Sequence, residues 1–179
     1  MQRNWFCKKY WKMENKQSVS IIKIGGNIID NPTELASFLA DFAALEGNTI
    51  LVHGGGKSAT KLAQSMGLVP QMIEGRRITD APMLEVVVGV YAGQINKEVV
   101  AQLQANGANA MGFSGADGNL ILSDKRNHPT IDYGFVGDVK KVNTSLLASL
   151  LETGITPVFC AITHDGKGQL LNTNADTIA

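Results

Sequence analysis

Residues 50–58, Ile-Leu-Val-His-Gly-Gly-Gly-Lys-Ser, constrain this chain more than any other stretch. An apolar run of strand character enters three consecutive glycines and leaves them in a helical pattern. Glycine has the most backbone freedom to lose on folding, and one glycine suffices for a tight strand-to-helix turn. Three make sense where a backbone must approach a ligand closely and aim its N–H groups at it. The helix that follows adds unpaired donors and the positive end of its dipole, so the ligand expected at Gly54, Gly55 and Gly56 is an anion. The plainer alternative is a tight turn with no ligand.

A second feature of this kind comes earlier. Residues 20–24 form a short β-rich run carrying Lys23, and Gly25, Gly26 and Asn27 follow. A lysine in a central strand is costly unless its ammonium emerges at the strand's end, where it sets a cation beside a close-approach loop. The alternative is an edge lysine that reaches solvent. There is no Gly-x-x-x-x-Gly-Lys-Ser/Thr, so this is not a Walker A loop. Nor is there a Gly-x-Gly-x-x-Gly with a downstream acid, which disfavours a plain dinucleotide-binding fold.

Helical and extended patterns alternate around these loops. Asn31 caps a helix with Pro32 at its first position, and Leu35, Phe38, Leu39, Phe42 and Leu45 share one face. Residues 49–52 are the next strand, which makes a right-handed β-α-β unit. A helix over 57–66 follows. Residues 71–73 and 77–79 flank Glu74, Gly75 and Arg76 as a small hairpin. Arg76 and Arg77 alternate sides there, so one faces inward over the glycines, where it would suit a carboxylate, and the other meets solvent. Residues 81–106 carry the longest helical pattern, capped by Thr79 or Asp80. It is apolar on more than one face, so it is either a subunit interface or fully internal. Strands are expected over 108–113 and 119–123, hairpin structure over 135–142 interrupted at Gly137 and Asp138, and a helix from Asn143 or Thr144 to Gly154. Residues 155–162 read as one continuous buried parallel strand, and 169–171 as short extended structure.

Composition narrows the classes. A hydrophobic fraction of 44% supports a real core, and a formal net charge of zero gives no global pull towards nucleic acid. No run reaches transmembrane length and the first twenty residues lack a signal peptide's apolar stretch, so no membrane partner and a cytoplasmic setting are expected. Cys7 and Cys160 suggest neither a disulfide framework nor a metal cluster, and His53, His128 and His164 lack ligand spacing. Residues 1–19 hold five cations against one acid. They read as a disordered basic tail or as sequence upstream of a true start at Met13, with a basic partner-binding arm as the alternative. At the other end Asn172, Asn174 and Asp176 alternate after a strand and converge on one side, more polar groups than capping needs. The last residues start a helix and look cut off.

Lys23-Ile24-Gly25-Gly26, Val52-His53-Gly54-Gly55-Gly56, Gly75-Arg76-Arg77-Ile78-Thr79 and Asn172-Thr173-Asn174-Ala175-Asp176 occur in this order. Together they resemble the amino acid kinase family, and within it the acetylglutamate kinases, over about residue 20 to the end. Those enzymes use ATP with Mg²⁺ to phosphorylate the side-chain carboxylate of N-acetyl-L-glutamate in arginine biosynthesis. The resemblance implies an α/β/α three-layer sandwich with a mostly parallel central sheet. It implies that Lys23 stabilises the transferring phosphoryl group and Asp176 holds the catalytic lysine. Gly25, Gly26 and Gly54 would meet phosphate, and Gly55, Gly56, Arg77 and Asn172 the substrate, with Asn174 in support. It also implies a homodimer through the helix over 81–106. The nucleotide-binding part expected after Asp176 is missing, so residues 20–179 are an acylglutamate-binding portion expected to show little kinase activity alone. Three other readings stay open: a non-catalytic acylglutamate-binding or dimerising fragment, an N-succinylglutamate kinase using Arg76 or Lys57, and a family kinase acting on aspartate or glutamate.

Overall fold

The computed structural model describes residues 9–12 and 18–179. Its first strand, β1 (Lys9–Lys12), pairs antiparallel with β2 (Ser18–Ile24). A single turn, α1 (Gly26–Ile29), leads to α2 (Pro32–Ala43). The Asn31 side chain caps α2 by accepting from the N–H groups of Thr33 and Glu34, and the helix buries Leu35, Phe38, Leu39 and Phe42. β3 (Asn48–His53) lies parallel to β2 with Ile24 opposite His53, so the turns leaving the two strands emerge side by side. α3 (Gly56–Ser65) precedes a hairpin of β4 (Met72–Ile73) and β5 (Arg76–Arg77). Glu74 and Gly75 at its turn take φ of 50° and 73°, as a two-residue loop between twisted strands requires.

α4 (Ala81–Val88), capped by Asp80, continues through a π-helical segment, Gly89–Ile95, into α5 (Asn96–Ala105). The remaining elements are β6 (Ala110–Phe113), β7 (Ile121–Lys125), β8 (Val136–Val142), α6 (Thr144–Glu152), β9 (Thr156–Cys160), β10 (Ile162–His164), β11 (Leu170–Thr173) and α7 (Ala175–Ile178). The main sheet has the order β1-β2-β3-β9-β6, parallel apart from β1. Right-handed crossovers set α2 and α5 on one face, where they touch. The return from β6 to β9 runs the other way and carries α6 to the opposite face. The result is an α/β/α arrangement around a parallel sheet. Leu51, Val87, Val99, Leu103 and Val158 lie at its centre, fully buried.

β10, β11, β8 and β7 close into a four-stranded barrel. Because β9 runs on into β10, the barrel sits beyond the carboxyl end of β9, on the side where the turns after β2 and β3 emerge. That end of a parallel sheet is where ligands gather.

Several expectations need correcting. The single strand over 155–162 is two strands parted at Ala161, where the chain leaves the main sheet for the barrel; there the Gly115 N–H donates to the Ile162 carbonyl. Gly137 and Asp138 do not interrupt β8. Gly137 is needed inside the strand because a Cβ there would lie 2.9 Å from both Leu171 and the Thr173 hydroxyl. The irregularity falls further along β8, where Lys140 is the extra residue between the pairs Leu122–Lys141 and Ser123–Val139. The strand expected over 119–123 starts at Ile121, after a 3₁₀ turn at Asp117–Asn119. The long helix is not fully internal, since Glu85, Gln94 and Glu98 are exposed, and it is not uniformly α-helical. Of residues 1–19, Lys9–Lys12 is a strand and β2 begins at Ser18; the rest, Cys7 and Met13 included, lies outside the described residues.

Candidate active site

Every residue expected at the site lines one cleft of about 240 Å³: Lys23, Gly25, Gly26, Gly54, Gly55, Gly56, Arg77, Asn172, Asn174 and Asp176. They come from four elements. The turns after β2 and β3 form the floor, the β4–β5 hairpin one wall, and the end of β11 with the start of α7 the other.

Lys23 projects from the end of β2, and its ammonium lies 2.8 Å from the Asp176 carboxylate. The lysine side chain is 27% exposed and the aspartate 68%. An ion pair this open adds little stability, so its effect is to fix where the ammonium points. Asp176 in turn is placed by α7, whose start Asn174 caps by accepting from the Asp176 N–H at 2.7 Å. Capping thus accounts for Asn174. Asn172 is buried; its amide donates to the Thr79 hydroxyl at 3.0 Å and ties the end of β11 to the hairpin's exit.

Arg77 is the buried cation of the site, 7% exposed. Its Nη2 donates to the Gly56 carbonyl at 2.9 Å and to the Thr60 hydroxyl at 2.8 Å, while Nη1 has no partner. A buried donor left unpaired costs about 1–3 kcal/mol, which a bound carboxylate would recover. Tyr91 stands beside this guanidinium. Burial pushes its phenol up, against the pull of Arg77. Arg76 lines the cleft too, so the two arginines do not divide between cleft and solvent as expected; it approaches Asp138 at 3.9 Å, a carboxylate already paired with Arg126 at 2.8 Å. Lys57 does not line the cleft. It donates to the Asn27 side chain, and the Ser58 hydroxyl donates to Asp30 at 2.6 Å, so α3 is tied to the turn after β2.

Gly55 has φ of 155°, and a Cβ there would collide with Ile95 and lie 3.0 Å from Tyr91. The middle position of the loop is therefore glycine because the π-helical segment packs directly on it. His53 is completely buried beneath this loop and its pKa falls to about 4, chiefly through burial. Sequence reasoning missed His53, Thr60, Thr79, Tyr91 and Asn96. Thr60 had a readable signal, one helical turn after Gly56; Asn96 had none, because its contacts lie 43 and 62 residues away. Cys160 is buried and free, and burial raises its thiol to about 12, which leaves it inert as a nucleophile.

A lysine at a strand end, two glycine turns at the carboxyl end of one parallel sheet and a buried arginine on the adjoining hairpin thus share one cleft. The chain belongs to the amino acid kinase family, whose profile matches residues 18–179. It is 60% identical over 164 residues to the acetylglutamate kinase of Cytophaga hutchinsonii, covering 91% of this chain and 62% of that enzyme. To the acetylglutamate kinase of Methanopyrus kandleri it is 42% identical over 165 residues, covering 90% and 64%. The chain thus spans less than two thirds of the curated relatives it matches. Among solved structures, smu.665 from Streptococcus mutans UA159 superposes with a TM-score of 0.78 at 25% identity, covering 90% of this chain and 65% of that one. N-acetylglutamate synthase from Neisseria gonorrhoeae, complexed with coenzyme A and N-acetyl-glutamate, shares the fold with a TM-score of 0.74 at 21% identity, covering 88% and 36%. Among the described residues no helix is long and apolar enough to cross a membrane.

Proposed function

We propose that this chain is the acylglutamate-binding portion of an acetylglutamate kinase, an enzyme that transfers phosphate from ATP to the side-chain carboxylate of N-acetyl-L-glutamate. The observation that carries the reading is Arg77, buried in the cleft wall with one guanidinium nitrogen unpartnered, opposite the Lys23–Asp176 pair. Arg77 takes a substrate carboxylate through that nitrogen, with Asn172 alongside. Gly54, Gly55 and Gly56 line the same space, and their N–H groups receive the anion. Lys23 and the turn at Gly25 and Gly26 receive phosphate.

A carboxylate is already a nucleophile at neutral pH, so the site needs no general base. Its task is to hold two anions together, which fixed positive charge and aimed N–H dipoles accomplish. Asp176 keeps the Lys23 ammonium on the line of transfer. The cleft fits the phosphate end of a nucleotide, since Gly25 leaves room for a ligand beneath the ammonium. Bound ATP would supply the phosphoryl group, and Mg²⁺ bound with it would share the neutralisation of charge. Among the described residues no group of three or more His, Cys, Asp or Glu is arranged to hold an ion. Most nucleotide contacts belong in this reading to the part of the relatives that the chain does not span, so the chain alone turns over slowly. The outward side of α4 and α5 pairs with a second copy, and the enzyme works in the cytoplasm.

A second reading concerns the acyl group. Arg76 lines the cleft and is only loosely held by Asp138, so an acyl chain bearing its own carboxylate, such as succinyl, has a cation to meet. Lys57, tied to Asn27, has no part in it. Equilibrium dialysis of the chain against N-acetyl-L-glutamate, N-succinyl-L-glutamate and glutamate tests both readings. Preference for N-acetyl-L-glutamate is expected. Tighter binding of the succinyl compound, abolished by Arg76→Ala, would move the assignment to the second reading, and binding of neither would defeat both.

A further inference from the structure

His53 and Asn96 form a buried pair that the phosphotransfer scheme leaves without a task. His53 closes β3 and is completely buried; Asn96, 1% exposed, opens α5 just past the π-helical segment. The hydrogen-bond roles are fixed by two carbonyls. His53 Nδ1 lies 2.8 Å from the Gly54 carbonyl, which can only accept, so Nδ1 carries the proton. Asn96 Nδ2 lies 3.0 Å from the Val158 carbonyl, so that atom is the amide nitrogen. It also reaches His53 Nε2 at 3.1 Å, which must then be the unprotonated acceptor. Lys97 completes the chain by donating to Asn96 Oδ1 at 3.0 Å. Gly112 on β6 makes room for this side chain, since a Cβ there would collide with Asn96 Oδ1.

The result is a directed relay from β9 through Asn96 and a neutral imidazole to one peptide group of the glycine loop. A peptide plane is rigid, so fixing the Gly54 carbonyl also fixes the Gly55 N–H on its other side. Glycines have no side chain to hold that plane, and a loop built of three would otherwise sample many orientations. We propose that His53 and Asn96 are positioning residues that lock the Gly54–Gly55 peptide so that the loop's N–H groups face the cleft before any anion arrives. The proposal deepens the anion-binding part of the function proposed above and rests on it only for the identity of the ligand. It also gives the π-helical segment a purpose. With i→i+5 bonding the turn holds more residues, so Tyr91 and Asn96, five apart, face the same side: Tyr91 lies over Gly55 while Asn96 turns to His53.

The test uses the ¹⁵N-labelled chain with two variants. His53→Asn keeps an N–H for the Gly54 carbonyl, and His53→Leu keeps bulk without a donor. Imidazole ¹⁵N shifts at about pH 7 and about pH 5 are expected to show a neutral ring protonated at Nδ1 at both. In His53→Leu the Gly55 and Gly56 amides are expected to move and to exchange roughly ten times faster, with affinity for N-acetyl-L-glutamate falling by a similar factor. The amides in the middle of β3 stay as they were, and His53→Asn restores the loop. A ring protonated at Nε2 would overturn the proposal. So would a His53→Leu variant whose loop amides are unchanged, or one whose losses spread evenly over the chain and are shared by His53→Asn. If His53→Leu does not fold, Asn96→Asp replaces it: a carboxylate next to Nε2 is expected to draw a proton there and raise the ring's pKa, and no change would count against the relay. If N-acetyl-L-glutamate fails to bind while the tautomer and amide results hold, the substrate assignment falls and the positioning role stands.

Discussion

At the scale of single residues, the site depends on what lies behind the glycines as much as on the glycines themselves. Gly55 has no space for a Cβ because Ile95 and Tyr91 occupy it. Gly55→Ala is expected to cost roughly 2–4 kcal/mol, the sum of overpacking and strained backbone, measurable as a drop in the urea midpoint. His53 makes the native state sensitive to acid. Its folded pKa of about 4 lies below the ordinary 6.5, so the unfolded chain binds the extra proton first. The stability from keeping His53 neutral is complete above about pH 6.5 and is lost as pH falls towards about 4, with an upper bound of about 3 kcal/mol. Urea unfolding between those pH values checks this, and His53→Asn should flatten the dependence. The glycines and Lys23 were legible in the sequence because their types are costly anywhere else. His53 was visible only as part of a motif, since nothing local shows that its ring is dry and hydrogen-bonded at both nitrogens.

Secondary-structure elements divide the same way. α2, α3 and the hairpin were readable because their signals are local: an Asn31 cap and Pro32 start, a Gly67 stop, and a turn with Gly75 at a position that needs positive φ. The π-helical segment in the long helix was not, because its apolar spacing resembles an ordinary helix and its cause is tertiary: Tyr91 and Asn96 must both face the loop region. Deleting Gly93, which is exposed and meets nothing within 4 Å, removes the extra residue. The helix should persist by circular dichroism while the stretch beyond rotates by about 100° relative to Tyr91. Either Tyr91 loses Gly55 or Asn96 loses His53, so the His53 pKa is expected to rise from about 4; an unchanged pKa would mean the segment has no bearing on the loop. The cap of α4 is a plainer case: Asp80→Ala should cost about 1 kcal/mol in thermal or urea unfolding.

For the whole molecule, alternating patterns indicated parallel β-α-β units, and helices on both faces of the sheet were implied by the family resemblance. The closed barrel was indicated by neither. Its strands are short, and its closure joins β10 to β7 and β11 to β8 across about forty residues of chain, a distance at which sequence pattern carries no pairing information. Yet the barrel brings β11, with Asn172 at its end, against Thr79 and the hairpin, and so completes the cleft. The proposed acylglutamate site is this cleft, walled by the buried Arg77. The most direct test is calorimetric titration of the chain with N-acetyl-L-glutamate, repeated with Arg77→Ala. Saturable binding to the unaltered chain is expected, with a loss of affinity of roughly thirtyfold or more in the variant, the effect of removing one partner of a buried charge pair. An Arg77→Ala variant that folds and binds N-acetyl-L-glutamate as tightly as the unaltered chain would contradict the assignment.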